Sequence, residues 1–537
     1  MRNSTLKKFT AKPNSKTEAA KKLRTIMFSR MFFIVGLLFV QFLIYLFITL
    51  KLQRYEIYFF GTGVVISILF LLYLVNTPGK NEFKLAWILP VLVAPVFGIT
   101  LYFMYKYNQG GIWLKRKIKK IKNISEKFLP PEHEVKKIAE QYPEVKDISH
   151  YLFHSGKAPC YKDNETKYFS CGEDFFEDLI DELSVAKKFI FFEFFIVEPC
   201  QIMDRLLEIL SQKIKEGVEV RFLFDSIGSI ALSSSLLKNY LTSYGISSKV
   251  WLKFIPVFNT GLNNRDHRKI VSIDNKVAFT GGVNITDEYA NLVSKRFNYW
   301  KDSGIKIKGP AVRSFTLMFL EQWNVQNKKN IQCENFEKFM TEKAVLENSV
   351  KNKNGKEFVI PYGDDAYNGE EIAENVYKYI LDKAQSKVRI MTPYLIIDKA
   401  LYEDLVFTAA RGVKVEIIVP AHYDHFISFC VGRTFVKNLI EKGIKIYEYE
   451  TGFIHSKVMT ADEKFGAVGS VNLDYRSFYH HFECGTFLYQ TDSIKDAEKD
   501  FDKTKKECKE ITFERYKKIK WYVRAVGWVF RIVGPLL

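Results

Sequence analysis

His267-Arg268-Lys269, four residues, Asp274, six residues and Gly281-Gly282-Val283-Asn284 form one stretch of this chain, and its pattern returns once. The second copy reads His455-Ser456-Lys457, four residues, Asp462, six residues, Gly469-Ser470-Val471-Asn472. Each residue type involved has a usage of a few per cent, so chance supplies such a match about once in ten million starting positions or fewer. Two in one chain mark a duplication.

Within each copy, His and Lys are two apart, which on extended backbone puts both side chains on one face. Their surroundings are strand-like, Ile270-Val271-Ser272-Ile273 in one copy and Val458-Met459-Thr460 in the other. The Asp and the Gly-Gly or Gly-Ser read as turns, the glycines letting backbone approach a bound anion closely. One copy offers an imidazole, an ammonium and an amide, and two copies face to face offer a symmetric pair. Two lysines and two asparagines can hold the oxygens of a phosphodiester, while one histidine attacks phosphorus and the other protonates the leaving alkoxide. Each such donor is worth about 2.7–4 kcal/mol of transition-state stabilisation. With the cations built in, the pattern calls for no metal and no cofactor. The other seven histidines read as ordinary core or surface residues.

The repeat extends well beyond the motifs. Lys188–Val197 reads as a buried strand, Met203–Glu216 as a helix and Gly217–Asp225 as a second strand; Val388–Pro393, Ala400–Ala410 and Gly412–Val419 repeat that order. Glu193 is the lone acid in its apolar run, so the sequence predicts a cationic partner for it. Residues 150–324 and 356–510 are therefore two α/β halves related by a pseudo-two-fold, joined by a Lys-, Asn- and Glu-rich linker at 325–355. Their shared site lies where they meet.

The flanks point to a membrane. The 537 residues carry a net charge of +18 and 46 Phe, which suits an anionic lipid surface. Residues 1–30 form a basic tail with nine Lys/Arg against one Glu and no secretory cleavage pattern. Residues 31–105 hold three apolar runs: Met31–Leu50, Ile57 to Asn76, and Leu85–Tyr105, the last broken by Pro90 and Pro95. Residues 106–149 are a basic connector. Basic flanks on both sides place both in the cytoplasm, which requires an even number of crossings. Either the broken third run dips in without crossing, or the N-terminal tail lies outside. Seven scattered cysteines without metal spacing favour reduced thiols, hence a multi-pass protein of the cell membrane with a cytoplasmic catalytic body. Residues 511–537 predict a basic amphipathic helix lying on anionic lipid. Ile519, Tyr522, Val526, Phe530 and Val533 form its apolar stripe, with Lys517, Lys520, Arg524 and Arg531 opposite and Trp521 and Trp528 flanking.

The paired motif resembles the duplicated HKD motif of the phospholipase D superfamily. That resemblance implies duplicated phospholipase D-like α/β halves, here preceded by transmembrane helices, and a metal-independent exchange through a phosphohistidine. It makes His267 the nucleophile and His455 the general acid and base, with Lys269, Lys457, Asn284 and Asn472 clamping phosphate. Asp274 and Asp462 match the motif's Asp, whose expected task is to fix the local turn. A catalytic imidazole needs its second nitrogen held, and Asp302 and Glu483, at equivalent places after the two motifs, are the candidates.

Order, spacing and the phrases FTGGVNITDEY, GPAVRSF, TPYLIID and GSVNLDYRSF resemble bacterial cardiolipin synthases over about residues 80–510. The implied reaction joins two phosphatidylglycerol molecules into cardiolipin and releases glycerol, with anionic membrane lipids as partners and no nucleic acid. A membrane-bound phospholipase D, or a phosphatidyltransferase with another acceptor alcohol, would use the same residues.

Overall fold

The computed structural model describes residues 30–106, 109–229, 233–252, 264–327, 336–340 and 357–536. The basic tail before residue 30 and most of the 325–355 linker lie outside the described residues.

Within the catalytic body, the first half folds into a seven-stranded sheet. Its strands are β1 (Glu165–Phe169), β2 (Phe189–Phe194), β3 (Glu219–Asp225), β4 (Ser247–Trp251), β5 (Ile270–Ile273), β6 (Val277–Gly281) and, after the short β7 (Trp300–Lys301), β8 (Gly304–Lys308). Their order across the sheet is β1-β8-β6-β5-β2-β3-β4. The second half contributes β9 (Phe358–Asp364), β10 (Lys387–Met391), β11 (Leu395–Ile396), β12 (Lys414–Pro420), β13 (Lys445–Tyr449), β14 (Phe453–Ile454), β15 (Val458–Ala461), β16 (Phe465–Gly469), β17 (Leu473–Asp474), β18 (Glu483–Tyr489) and β19 (Cys508–Glu510). Its main sheet runs β9-β18-β16-β15-β10-β12-β13, with β19 added at the far edge. The two orders correspond strand for strand, and the helices Gln201–Lys215 and Lys399–Ala410 make the crossovers from β2 to β3 and from β10 to β12, as the repeat in the sequence predicts.

β2 reads as an apolar run broken only by Glu193 because both of its faces are covered. Phe191 and Phe319 stack at 4.5 Å, and Phe192 and Phe222 at 5.2 Å. A single buried cluster joins the sheets: Ile270, Ala278 and Ile305 from one meet Val458, Val468 and Leu488 from the other.

Glu193 departs in part from expectation. It is fully buried on β2 and its carboxylate oxygens make no hydrogen bond. Burial first, and then the neighbouring Asp266, push its carboxyl well above the usual range, with only the Arg268 charge opposing. The predicted cation is present as Arg268, whose charge acts on Glu193 without a contact ion pair, and burial beside Asp266 favours the neutral acid.

The C-terminal helix also differs. Trp521–Arg531 docks on the body through Val523 and Gly527, packed against the helix Phe426–Glu441. A Cβ at Gly527 would lie 2.2 Å from the carbonyl oxygen of Cys430. Tyr516, Val523 and Gly527 are buried, Ile519, Val526, Phe530 and Val533 of the predicted stripe are half-buried, and Tyr522 is exposed. Trp521 and Trp528 stand out at 73% and 75% exposure.

The N-terminal unit is a set of apolar helices. Arg30–Lys51 is followed by Glu56–Asn76, and among the described residues the stretch Gln53–Asn76 is long and apolar enough to cross a membrane. The third apolar run divides at Ala94 into Asn81–Val93 and Pro95–Lys106, each too short to span about 30 Å of hydrocarbon. A Cβ at Gly98 would meet the Pro90 carbonyl carbon at 2.6 Å, so the two pieces touch backbone to backbone at the break. The freed N–H of Phe97 donates to the side chain of Gln41 at 3.1 Å.

Candidate active site

Each motif histidine sits in extended chain just ahead of a central strand, His267 before β5 and His455 before β15. The segments leading into them are not paired within their own half. His267 N–H donates to Phe482 O (2.9 Å) and Phe482 N–H to Arg265 O (2.8 Å). In the related place β14 pairs in parallel with β7, and His455 N–H donates to Lys301 O (2.7 Å). The residue following each partner is an acid, so this lacing brings each acid to the histidine of the opposite half.

Nδ1 of His267 lies 2.9 and 3.1 Å from the two oxygens of Glu483, and Nδ1 of His455 lies 2.7 Å from Oδ2 of Asp302. All four residues are buried. With Nδ1 engaged, each ring is left with Nε2 for chemistry. The segment carrying His267 is itself anchored: Arg265 makes a buried ion pair with Asp225 at the end of β3 (2.7 Å), and Asp266 N–H donates to the same carboxylate.

The neighbours differ between the two acids. Ser470 donates its hydroxyl to Glu483, whereas the equivalent Gly282 leaves no room for any side chain, since a Cβ there would lie 2.1 Å from Oδ1 of Asp302. The motif glycines therefore clear space for the orienting acid and the neighbouring strand; a Cβ at Gly281 or Gly469 would likewise strike a backbone carbonyl at 2.4 Å.

Lys269 and Lys457 are buried beside the histidines, each spending one N–H on the carbonyl of its own motif histidine. Nζ of Lys457 is also 2.7 Å from Nδ1 of His455. Burial pulls Lys269 down to about 8 and Lys457 down to about 7, with Glu483 and Asp302 opposing. Burial, then the charges of Lys269 and Lys457, hold His267 well below the usual histidine range. His455 is pushed down to about 4 by burial and by Lys457, against Asp302. Both shifts favour the neutral imidazole.

Asn284 and Asn472 are buried at the ends of their motifs. Asn284 accepts the Ile196 N–H through its side-chain oxygen (3.1 Å), which aims its NH2 away from β2; the side-chain oxygen of Asn472 has no partner. Asp274 and Asp462 stand apart from this group, at the far ends of β5 and β15 and about 16 Å along an extended strand from the motif lysines. Asp274 accepts the backbone N–H groups of Lys187, Lys188 and Phe189, and Asp462 those of Gln385, Ser386 and Lys387. They tie the turns, and no geometry gives them a part in the chemistry.

Two neighbours escaped the sequence reading. The buried Tyr289 meets His455 edge to face at 5.3 Å. His481, read as an ordinary histidine, is buried with its ring centre 5.4 Å from that of His267. Its place two residues ahead of Glu483 is the only trace it leaves in the sequence; the residue two ahead of Asp302 is Trp300, whose ring is 5.4 Å from His455.

A family profile described as "Cardiolipin synthase, PLD-like domain" matches residues 179–313 and 377–505, once in each half. A cardiolipin synthase of Clostridium perfringens is 32% identical over 84% of this chain and 94% of its own length. One of Halalkalibacterium halodurans is 30% identical over 89% and 94%, and an uncharacterized Streptococcus mutans protein is 40% identical over 87% and 99%. Among solved structures, the phosphatidylserine synthase of Haemophilus influenzae shares the fold, with a TM-score of 0.54 and 16% identity over 73% of this chain and all of that one. The repeated strand order, the laced histidine–acid pairs and these full-length similarities lead to one assignment: the chain belongs to the cardiolipin synthases, phosphatidyltransferases of the phospholipase D superfamily.

Proposed function

We propose that the chain joins two phosphatidylglycerol molecules into cardiolipin and glycerol, without a metal, through a phosphohistidine on Nε2 of His267. The observation that carries this reading is the pair of buried imidazoles, each fixed at Nδ1 by an acid of the other half. While Lys269 and Lys457 keep their protons, their charges offset those of Glu483 and Asp302. An entering phosphodiester adds one negative charge, and the proton that offsets it goes to His455, beside Asp302. His267 then attacks phosphorus, and His455 gives its proton to the departing glycerol oxygen. In the return step His455 takes the proton of a second phosphatidylglycerol hydroxyl as that oxygen displaces His267. Lys269, Lys457, Asn284 and Asn472 clamp the phosphoryl oxygens throughout. Orientation of the two rings is the task of Asp302 and Glu483.

The apolar helices Arg30–Lys51 and Glu56–Asn76 are the two crossings in this reading. The broken pair Asn81–Val93 and Pro95–Lys106 enters the membrane without crossing it, which keeps both basic flanks on the cytoplasmic side. The six described cysteines are all free, in keeping with a reducing compartment. Trp521 and Trp528, next to Lys520 and Arg524, seat the docked C-terminal helix on anionic lipid. Labelled phosphatidylglycerol added to membranes containing the chain, followed by mass spectrometry, tests the reaction. Labelled cardiolipin and glycerol are expected, and none with His267→Ala. Phosphatidic acid as the main product would mean that water is the acceptor.

A further inference from the structure

The geometry points to a regulatory metal site built on the nucleophile: His267, Glu483 and His481 bind a zinc-type divalent cation that switches transfer off. The inference rests on the reading of His267 as nucleophile. One ligand atom from each residue, two imidazole nitrogens and a carboxylate oxygen, lies within 4.8 Å of the others, and all three residues are buried. Glu483 Oε1 is 2.9 Å from Nδ1 of His267 and 3.7 Å from Nδ1 of His481. Ligands of a tetrahedral zinc are about 3.4 Å apart at bond lengths near 2.1 Å. Side-chain adjustments of about an ångström therefore close the site around an ion. Two histidines and a glutamate are a known zinc set that leaves a fourth position open.

His481 supplies the independent observation. It is buried, yet neither ring nitrogen has a hydrogen-bond partner. A buried polar group without a partner costs free energy, so the arrangement implies a ligand for which those nitrogens are kept. Transfer itself calls for no such residue, since the related position on the other side is Trp300, which cannot ligate a cation. The device belongs to the His267 side alone.

The switch follows from the two tautomers of a neutral imidazole. In the transfer-competent form the ring proton is on Nδ1, donated to Glu483, and the lone pair is on Nε2. A cation taken by Nδ1 and Glu483 moves that proton to Nε2, so the lone pair needed for attack is lost without any net proton release. The same ion withdraws Glu483 from its orienting role.

The test uses purified full-length protein in phosphatidylglycerol-containing vesicles, with Zn2+ titrated against exchange and Co2+ titrated as a visible-absorbing probe. The expected result is one Co2+ per chain in a four-coordinate spectrum, and inhibition by Zn2+ that a chelator reverses. His481→Asn should weaken both by about 100-fold or more, because disturbing even an outer-shell partner costs 10–100-fold; each variant is scored against its own zinc-free rate. No cobalt spectrum in the wild-type chain, or zinc inhibition unchanged in His481→Asn, overturns the site. Cobalt bound through His481 in a chain that makes no cardiolipin would support the site and remove the transfer reading instead.

Discussion

Nδ1 of His267 and Oε1 of Glu483 are 2.9 Å apart although 216 residues separate them in the chain. The mirror pair, His455 and Asp302, is held at 2.7 Å across 153 residues. Removing the charge while keeping the shape should be severe at both acids. Glu483→Gln and Asp302→Asn are each expected to lower kcat by 100-fold or more, since the analogous change in a serine-protease triad costs about 10,000-fold. The two should separate on a substrate whose leaving group is an acidic phenol and needs no protonation. Release of that phenol should recover in Asp302→Asn, whose fault lies with the acid His455, and stay lost in Glu483→Gln. Equal recovery in both would contradict the division of roles.

The alkaline side of the pH profile should belong to the clamp lysines. The protonated ammonium is the form that holds phosphate, so its contribution is complete below its pKa and lost above it. Burial sets Lys457 at about 7 and Lys269 at about 8, so kcat/KM, which reports the free enzyme, should decline through pH 7–8 rather than near 10. A flat profile to pH 10 would show the lysines to be charged throughout.

Asp274 and Asp462 should behave as structural residues. Asp274→Ala strips an acceptor from three backbone N–H groups of the turn entering β2 and is expected to cost about 2–4 kcal/mol of stability. Asp462→Ala should cost less, because its turn is more exposed. Thermal unfolding of the full chain measures this. The surviving folded fraction should keep its turnover, and a chain that melts normally yet is inactive would place these acids in the chemistry after all.

Gly282→Ala should cost more activity than Ser470→Gly. The first drives a methyl group to 2.1 Å from Oδ1 of Asp302 and so displaces the acid behind His455. The second removes one hydroxyl donor from Glu483, which keeps its bond to His267. Turnover of the two variants side by side decides the order.

Gln41→Leu tests the broken run. It leaves the Phe97 N–H without its acceptor in apolar surroundings, at a cost of about 1–3 kcal/mol. A lower melting temperature in lipid with the acceptor preference intact is expected; an unchanged melt would mean that another group takes the N–H.

The motifs and the strand–helix–strand repeat were legible in the sequence because identical residue types at identical spacing need no tertiary information. Asp302 and Glu483 were legible as candidates from their local setting instead, since each stands two residues ahead of the glycine of the strand that follows its motif, Gly304 in one and Gly485 in the other. Their crossing was not, because it is set by pairings of one or two residues, Asp266 with Phe482 and Phe453–Ile454 on Trp300–Lys301, which are too short to carry a hydrophobic period. His481 was hidden because one histidine among nine carries no pattern. The apolar face of the C-terminal helix was legible in Ile519, Val526, Phe530 and Val533, which are half-buried, but its docking on the body was not, because the close approach is made by Gly527, which carries no apolar signal. That Glu193 needs a partner was legible from its apolar run, but that it sits between the Arg268 charge and a second acid, Asp266, was not.

The lacing of the halves also sets when reactivity can begin. As the chain leaves the ribosome, His267 emerges long before Glu483, and Asp302 waits for a histidine not yet made. On the proposed mechanism, an unfinished chain carries the nucleophile His267 with no Glu483 to aim it. On that mechanism, competence is expected only once the segment carrying Glu483 pairs with the one carrying His267, and a chain cut short of Glu483 is expected to leave lipid phosphodiesters intact.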